Sequence, residues 1–228
     1  MIYITGDTHG EDNRFDYIEK TVEMNTGKKL NKDDTVIVCG DFGYVWGTEE
    51  KEKLLDSFES KEYTICFCDG NHENFDLLYS YPVEIWRGGR IHRVRKNVIH
   101  LIRGQIYDVE GKKIFAMGGG YSIDKALRRE GYSWWSREMP SNEEYNEAIE
   151  SLKNAGMKVD YIITHTAPLE IVMMMGKHPD VHERELNGFL DWVMHDVSYR
   201  QWFFGHWHYD MQITPKIKAL LFDVVEPE

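Results

Sequence analysis

Ile2-Tyr3-Ile4-Thr5-Gly6-Asp7-Thr8-His9 is a short apolar and β-branched run that passes through one glycine into two side chains able to ligate a metal. Thr35 to Cys39 runs in the same way into Gly40-Asp41, and Tyr63 to Phe67 into Gly70-Asn71-His72-Glu73. Tyr161 to Ile163 precedes His165, and Trp202 to Phe204 precedes Gly205-His206-Trp207-His208. Short β-branched or aromatic runs bounded by Gly or Asp read as buried strands. All five polar clusters therefore follow strand C-terminal ends. In open α/β sheets those ends form the crevice where ligands bind, so residues from 7 to 208 can converge on one site. Asp7 with His9, and His206 with His208, are spaced i, i+2, which predicts both side chains of each pair on one side of an extended backbone.

Helical patterns separate these strands. Phe15, Ile18 and Val22 mark one amphipathic helix. Ser141 with Glu144 reads as a capping box opening a second, whose Tyr145, Ala148, Ile149 and Leu152 form an apolar stripe before Gly156. A third runs through Leu186, Phe189, Leu190 and Val193. From residue 90 to 117 strands follow without helices, at Arg90 to Val94, Val98 to Leu101, Ile106 to Val109 and Lys112 to Met117, which predicts antiparallel pairing. The prediction is an α/β fold of mixed sheets covered by helices, in one domain over residues 1–228 with a cap-like insertion around 118–140. At 228 residues the chain can bury a sizeable core.

The donor types predict two metal ions. Asp7, Asp41 and Asn71 supply oxygens and His9, His165, His206 and His208 supply imidazoles, too many for one tetrahedral site with an open position. A mixed N/O set without thiolate suits Mn, Fe or Zn, with Mn preferred here. Two such ions ~3.5 to 4 Å apart can clamp an in-line displacement at phosphorus. A carboxylate can share its two oxygens between cations, and Asp41, central in the order of clusters, is the candidate bridge.

On these blocks the chain resembles the calcineurin-like metallophosphoesterases, whose signature is Asp-x-His, Gly-Asp, Gly-Asn-His-Asp/Glu, His, then Gly-His-x-His. Every block is present in order from residue 7 to 208. The resemblance implies two central sheets with helices outside, an αββα sandwich. It implies one metal on Asp7, His9, Asp41 and His208, and another on Asp41, Asn71, His165 and His206. It also implies that His72 is a catalytic imidazole outside the metal shell, protonating the leaving oxygen or stabilising phosphoryl charge. One departure stands out: Tyr44 occupies the position where many members carry an acid that orients this imidazole, and Val45 stands where protein phosphatases place an Arg. A tyrosine there predicts orientation of His72 by a phenol, a backbone carbonyl or water. Glu73 is the remaining nearby acid.

Other polar features have plainer readings. His92, His100, His178, His182 and His195 are expected to be satisfied core or surface residues, and Cys66-x-Cys68 an alternating pair of strand thiols. Arg87, Arg90, Arg93, Arg95 and Lys96 are expected on a charge-protected edge strand. Gly118-Gly119-Gly120 opens a segment to Pro140 rich in cations and tryptophans, which is either a packed cap or a grip on a phosphate-bearing substrate, with Arg128, Arg129 and Trp135 as candidates.

The resulting expectation is hydrolysis of a phosphomonoester or phosphodiester, on a small phosphorylated molecule or nucleotide, by in-line attack of metal-bound hydroxide. A nuclease and a non-catalytic metal-binding scaffold are the alternatives. The net charge of -12 disfavours nonspecific binding to nucleic acid or an anionic membrane. No basic and apolar leader stands at Met1 and no apolar run approaches spanning length. Three cysteines in core strands predict no disulfide framework, hence a reducing cytoplasm.

Overall fold

Valine, isoleucine and aromatic residues dominate a set of short strands whose side chains alternate between two faces. The computed structural model describes residues 1–228. One sheet takes β1 (Ile2–Thr5), β2 (Thr35–Val38), β3 (Thr64–Phe67), β4 (Val83–Trp86), β5 (Gly89–Arg93) and β6 (Val98–Leu101). The other takes β7 (Gln105–Val109), β8 (Lys112–Met117), β9 (Tyr161–Thr164), β10 (Gln201–Phe204), β11 (Met211–Thr214) and β12 (Ile217–Ala219). A last short strand, β13 (Val224–Val225), returns to the first sheet. The orders are β13-β1-β2-β3-β6-β5-β4 and β11-β12-β10-β9-β8-β7. Parallel ladders join β1, β2, β3 and β6, and likewise β8, β9, β10 and β12. The outer strands pair antiparallel, so both sheets are mixed.

Alternation along the strands builds three apolar layers. Ile2 and Ile4 of β1 pack between the sheets with Ile37, Ile99, Ile114, Ile163 and Phe203, whereas Tyr3 faces outward with Val36 and Val38. That outer face is covered by α1 (Arg14–Thr26), α2 (Glu49–Phe58) and the single turn α3 (Phe75–Leu78), through Phe15, Ile18, Val22, Leu55, Phe58 and Leu78. The second sheet is covered by α4 (Asn142–Asn154), α5 (Leu169–Met174) and α6 (Arg184–Asp196), through Ala148, Leu152, Val172, Leu186, Leu190 and Val193. The order is helix, sheet, sheet, helix, as expected. Ser141 and Glu144 form both halves of the capping box that starts α4.

Two expectations change, and one helix carries no sequence signal. The edge strand is β4, not the basic β5, which lies between β4 and β6. Three cations of that region are paired: Arg93 with Glu84 at 2.6 Å, Arg95 with Asp56 at 2.8 Å, and Arg90 with Glu147. The two motif pairs do not lie on extended backbone. β1 ends at Thr5 and β10 at Phe204, and His9, His206 and His208 have φ of 47°, 63° and 55°. Finally, α2 has little apolar periodicity to read, since only Leu55 and Phe58 of its ten residues are buried. The three cysteines are buried and unpaired, and no helix is long and apolar enough to cross a membrane.

Candidate metal centre

The loops leaving β1, β2, β3, β8, β9 and β10 meet at one edge of the sandwich because backbone hydrogen bonds tie them in pairs. His9 N–H donates to the Asp41 carbonyl at 2.8 Å, Gly205 N–H to that of His165 at 2.9 Å, and Gly119 N–H to that of Asp69 at 3.0 Å. The packing around them is close enough to require glycine. A Cβ on Gly40, whose φ is 89°, would stand 2.1 Å from His165 Nδ1, and one on Gly205 would stand 1.9 Å from Asp7 Oδ1. Asp41 itself has φ of 44°, a left-handed conformation that costs a non-glycine residue about 1–3 kcal/mol and persists where the surroundings dictate it.

Two groups of donors result. Asp7, His9 and His208 each offer a ligand atom within 4.8 Å of the others, with Asp7 Oδ2 3.2 Å from His208 Nε2, and His9 Nε2 3.1 Å from the same nitrogen. In the other group, His165 Nε2 lies 3.1 Å from Asn71 Oδ1. Its Nδ1 is 2.9 Å from the Cys39 carbonyl, which can only accept, so Nδ1 carries the proton and Nε2 is free to ligate. Asn71 donates its amide N–H to Ser122 Oγ at 3.1 Å, which turns Oδ1 inward. The ring of His206 lies 4.8 Å from that of His165, and its Nε2 is 3.1 Å from Glu183 Oε1.

Asp41 stands between the groups. Oδ2 is 3.8 Å from His9 Nδ1, Oδ1 is 3.3 Å from His165 Nε2, and Oδ1 also accepts from His72 N–H at 2.8 Å. Burial alone would raise its pKa, but His165, His72 and His9 outweigh it and hold the carboxyl at about 2. At His206 burial opposes charge, yet Glu183, Asp41 and Asp7 raise the imidazole to about 9. Imidazoles aimed at buried carboxylates, with no other cation between them, form a donor set suited to divalent ions.

His72 faces this set from a cleft of about 310 Å³ that Asp41, Asn71, Tyr121, Ser122, Arg128 and His208 also line. The Arg128 guanidinium lies against its ring, with Nη1 and Nη2 each 3.2 Å from a ring nitrogen, and pairs with Asp124 at 2.9 Å. Burial, Arg128 and His9 lower the pKa of His72, partly opposed by Asp41. Tyr44 plays no part here. It is buried among Phe15, Phe42 and Phe58, and its hydroxyl donates to the Glu11 carbonyl at 2.6 Å, so it cannot orient His72. Glu73 also turns away, accepting from Phe42 N–H at 2.7 Å, and burial with Asp41 nearby pushes its pKa well up.

The segment from Gly118 to Pro140 packs beside the site, and its Tyr121, Ser122 and Arg128 line the cleft. Trp135 is buried, packs against Trp46 and donates its indole N–H to Asp76 at 2.8 Å, so it stands outside the cleft. Arg129 is exposed and also outside it. Only Arg128 of the three candidates reaches the site. Arg103 and Glu138, which carried no motif signal, fasten this segment. Arg103 donates to Asp69 Oδ2 at 2.8 Å and to the Arg137 carbonyl at 2.9 Å, and Glu138 accepts from Ser122 N–H at 3.0 Å. His92 and His100 are core residues as expected, with His100 Nε2 3.0 Å from Asp69 Oδ1.

None of the individually curated proteins matches the chain. The blocks that build the two donor groups nevertheless fall within residues 1–210, the span matched by the Calcineurin-like phosphoesterase family profile, and the chain belongs to that family.

Proposed function

We propose that the protein is a binuclear-metal phosphoesterase hydrolysing a phosphomonoester or phosphodiester of a small molecule or nucleotide. The family is mostly hydrolases and typically binds two metals. The observation that carries the reading is the position of Asp41, whose two oxygens face different donor groups at 3.8 and 3.3 Å. Asp7, His9 and His208 would hold one ion, Asn71, His165 and His206 the other, with Asp41 shared. Two divalent ions there, with Mn the first choice and Fe or Zn alternatives, would supply Lewis-acid charge and an activated water.

The remaining chemistry belongs to the chain. His72 lies beside the donors without joining either group and donates a ring proton to the leaving oxygen. Arg128 holds the ring in place and offers its guanidinium to non-bridging phosphoryl oxygens, for which its planar fork is suited. A cation against the ring also makes the imidazolium a stronger acid. The test is turnover of nitrophenyl phosphate, bis(nitrophenyl) phosphate, nucleotides and single-stranded nucleic acid by the Mn-loaded protein. No turnover of any ester sinks the reading, and turnover of nucleic acid alone replaces it with a nuclease.

His72→Asn should keep both metals and the fold while lowering kcat by ~10² to 10⁴, with a smaller loss for esters with good leaving groups. Equal losses for nitrophenyl and alkyl esters would remove the acid role. Arg128→Ala should raise KM and leave metal content unchanged. It also removes a cation that depresses His72, so the pKa of the ring rises. An acid must be protonated to act, so the alkaline limb of kcat should move to higher pH. A limb that stays put or moves down contradicts the contact's role in tuning His72.

A further inference from the structure

Glu183 begins the turn into α6, far in sequence from every motif block, yet its carboxylate meets the imidazole of His206 behind the site. Oε1 is 3.1 Å from His206 Nε2 and also accepts from Tyr121 N–H at 3.1 Å. Oε2 is 3.4 Å from Asn187 Nδ2, which itself donates to the Ala167 carbonyl at 2.9 Å. Glu183 is 2% exposed, so no water competes for these bonds. A carboxylate held from three sides accepts a proton-bearing nitrogen, which fixes the tautomer of the ring with hydrogen on Nε2. Nδ1 is then the one nitrogen of His206 with a lone pair to give.

We propose that Glu183 is a positioning residue for the ion on Asn71, His165 and His206, locking His206 as an Nδ1 ligand. The proposal rests on the two-metal reading of the site. The physical logic is that of a carboxylate–histidine–metal relay: the acceptor behind the ring orients it and raises its basicity, and removing such a partner typically weakens metal binding ~10- to 100-fold. The other donor group has no contact with Glu183, so the effect must fall on one ion. Tyr121, whose N–H is bound to the same carboxylate, opens the insertion that walls the cleft, so Glu183 also ties that wall to the ligand.

The experiment is titration of the metal-stripped full-length chain with Mn²⁺ and Zn²⁺ by calorimetry, with melting of the metal-free protein as control. Wild type should bind two ions. Glu183→Gln, which keeps the acceptor oxygen but not the charge, should weaken one of them roughly 10-fold, and Glu183→Ala up to ~100-fold, with the other ion unaffected. In Zn-loaded protein labelled with ¹⁵N-histidine, His206 should keep its Nε2 proton and ligate through Nδ1. Ligation through Nε2, or two wild-type affinities in Glu183→Gln, overturns the proposal. So does an equal loss at both ions together with a lower melting point of the metal-free Glu183→Gln, which marks a role in folding alone. A wild type that binds a single ion overturns the two-metal reading itself.

Discussion

Asp41→Asn should abolish phosphoester hydrolysis and lower metal occupancy at both positions at once. Asn keeps one oxygen, still able to accept from His72 N–H, so the loop has no reason to collapse. It replaces the other oxygen with an NH₂ donor and removes the negative charge, so one cation would meet a donor where it had a ligand. Substitutions at Asp7 or Asn71 should instead weaken one ion preferentially, because each of those side chains belongs to a single group. Metal analysis of purified variants separates the cases. A fully loaded wild type with one ion, or an Asp41→Asn variant with two, defeats the bridging role.

Arg103→Met should cost about 3–5 kcal/mol of stability, roughly 6–20 °C in Tm for a chain of this length. Arg103 and Asp69 are both fully buried, and Asp69 keeps no other cationic side chain within reach except a protonated His100. Burial by itself would raise the Asp69 pKa, but Arg103 and His100 outweigh it and hold the carboxyl well below the usual carboxylate range. The sign follows directly. A folded-state pKa below the unfolded value stabilises above about pH 4, and that contribution is lost as pH falls toward the folded value. The Arg103→Met deficit should therefore be largest at neutral pH and shrink as pH falls, because a protonated Asp69 no longer needs its partner. A deficit independent of pH would assign the loss to packing. Since Arg103 also holds the Arg137 and Glu138 carbonyls, the variant should loosen the insertion, readable as faster backbone exchange from Gly118 to Pro140.

That Asp7, His9, Asp41, Asn71, His165, His206 and His208 gather at one edge is legible in the chain, because each stands just past a run of strand-forming residues and strand ends meet at one edge of a parallel sheet. The same periodicity yields the αββα layering: Ile2 and Ile4 against Tyr3 already divides the inner face of β1 from the outer. Even the start of α4 is written in Ser141 and Glu144. The layering, the helix cap and the convergence of the strand ends depend on local alternation, capping and spacing, which neighbours in sequence impose on one another.

Tyr44, Trp135, Arg128 and Glu183 mark where that reasoning stops. Position alone made Tyr44 a candidate for orienting His72, but a phenol beside Phe42 gains more by entering the aromatic core, where the Glu11 carbonyl satisfies its hydroxyl. Composition alone makes Trp135 a candidate for the substrate grip, and Asp76, fifty-nine residues away, draws its indole N–H away from the cleft. Arg128 and Arg129 are chemically equivalent neighbours, and the fold of the insertion turns only one of them onto His72. Glu183 is one acid among 39 acidic residues, with no spacing to a histidine that would single it out. The strand ends and the polar residues that follow them were legible in the linear chain because they follow from short-range periodicity. The partners of His72 and His206 were not, because a hydrogen bond or ion pair between distant segments depends on how two sheets and six helices pack, and no local pattern encodes that.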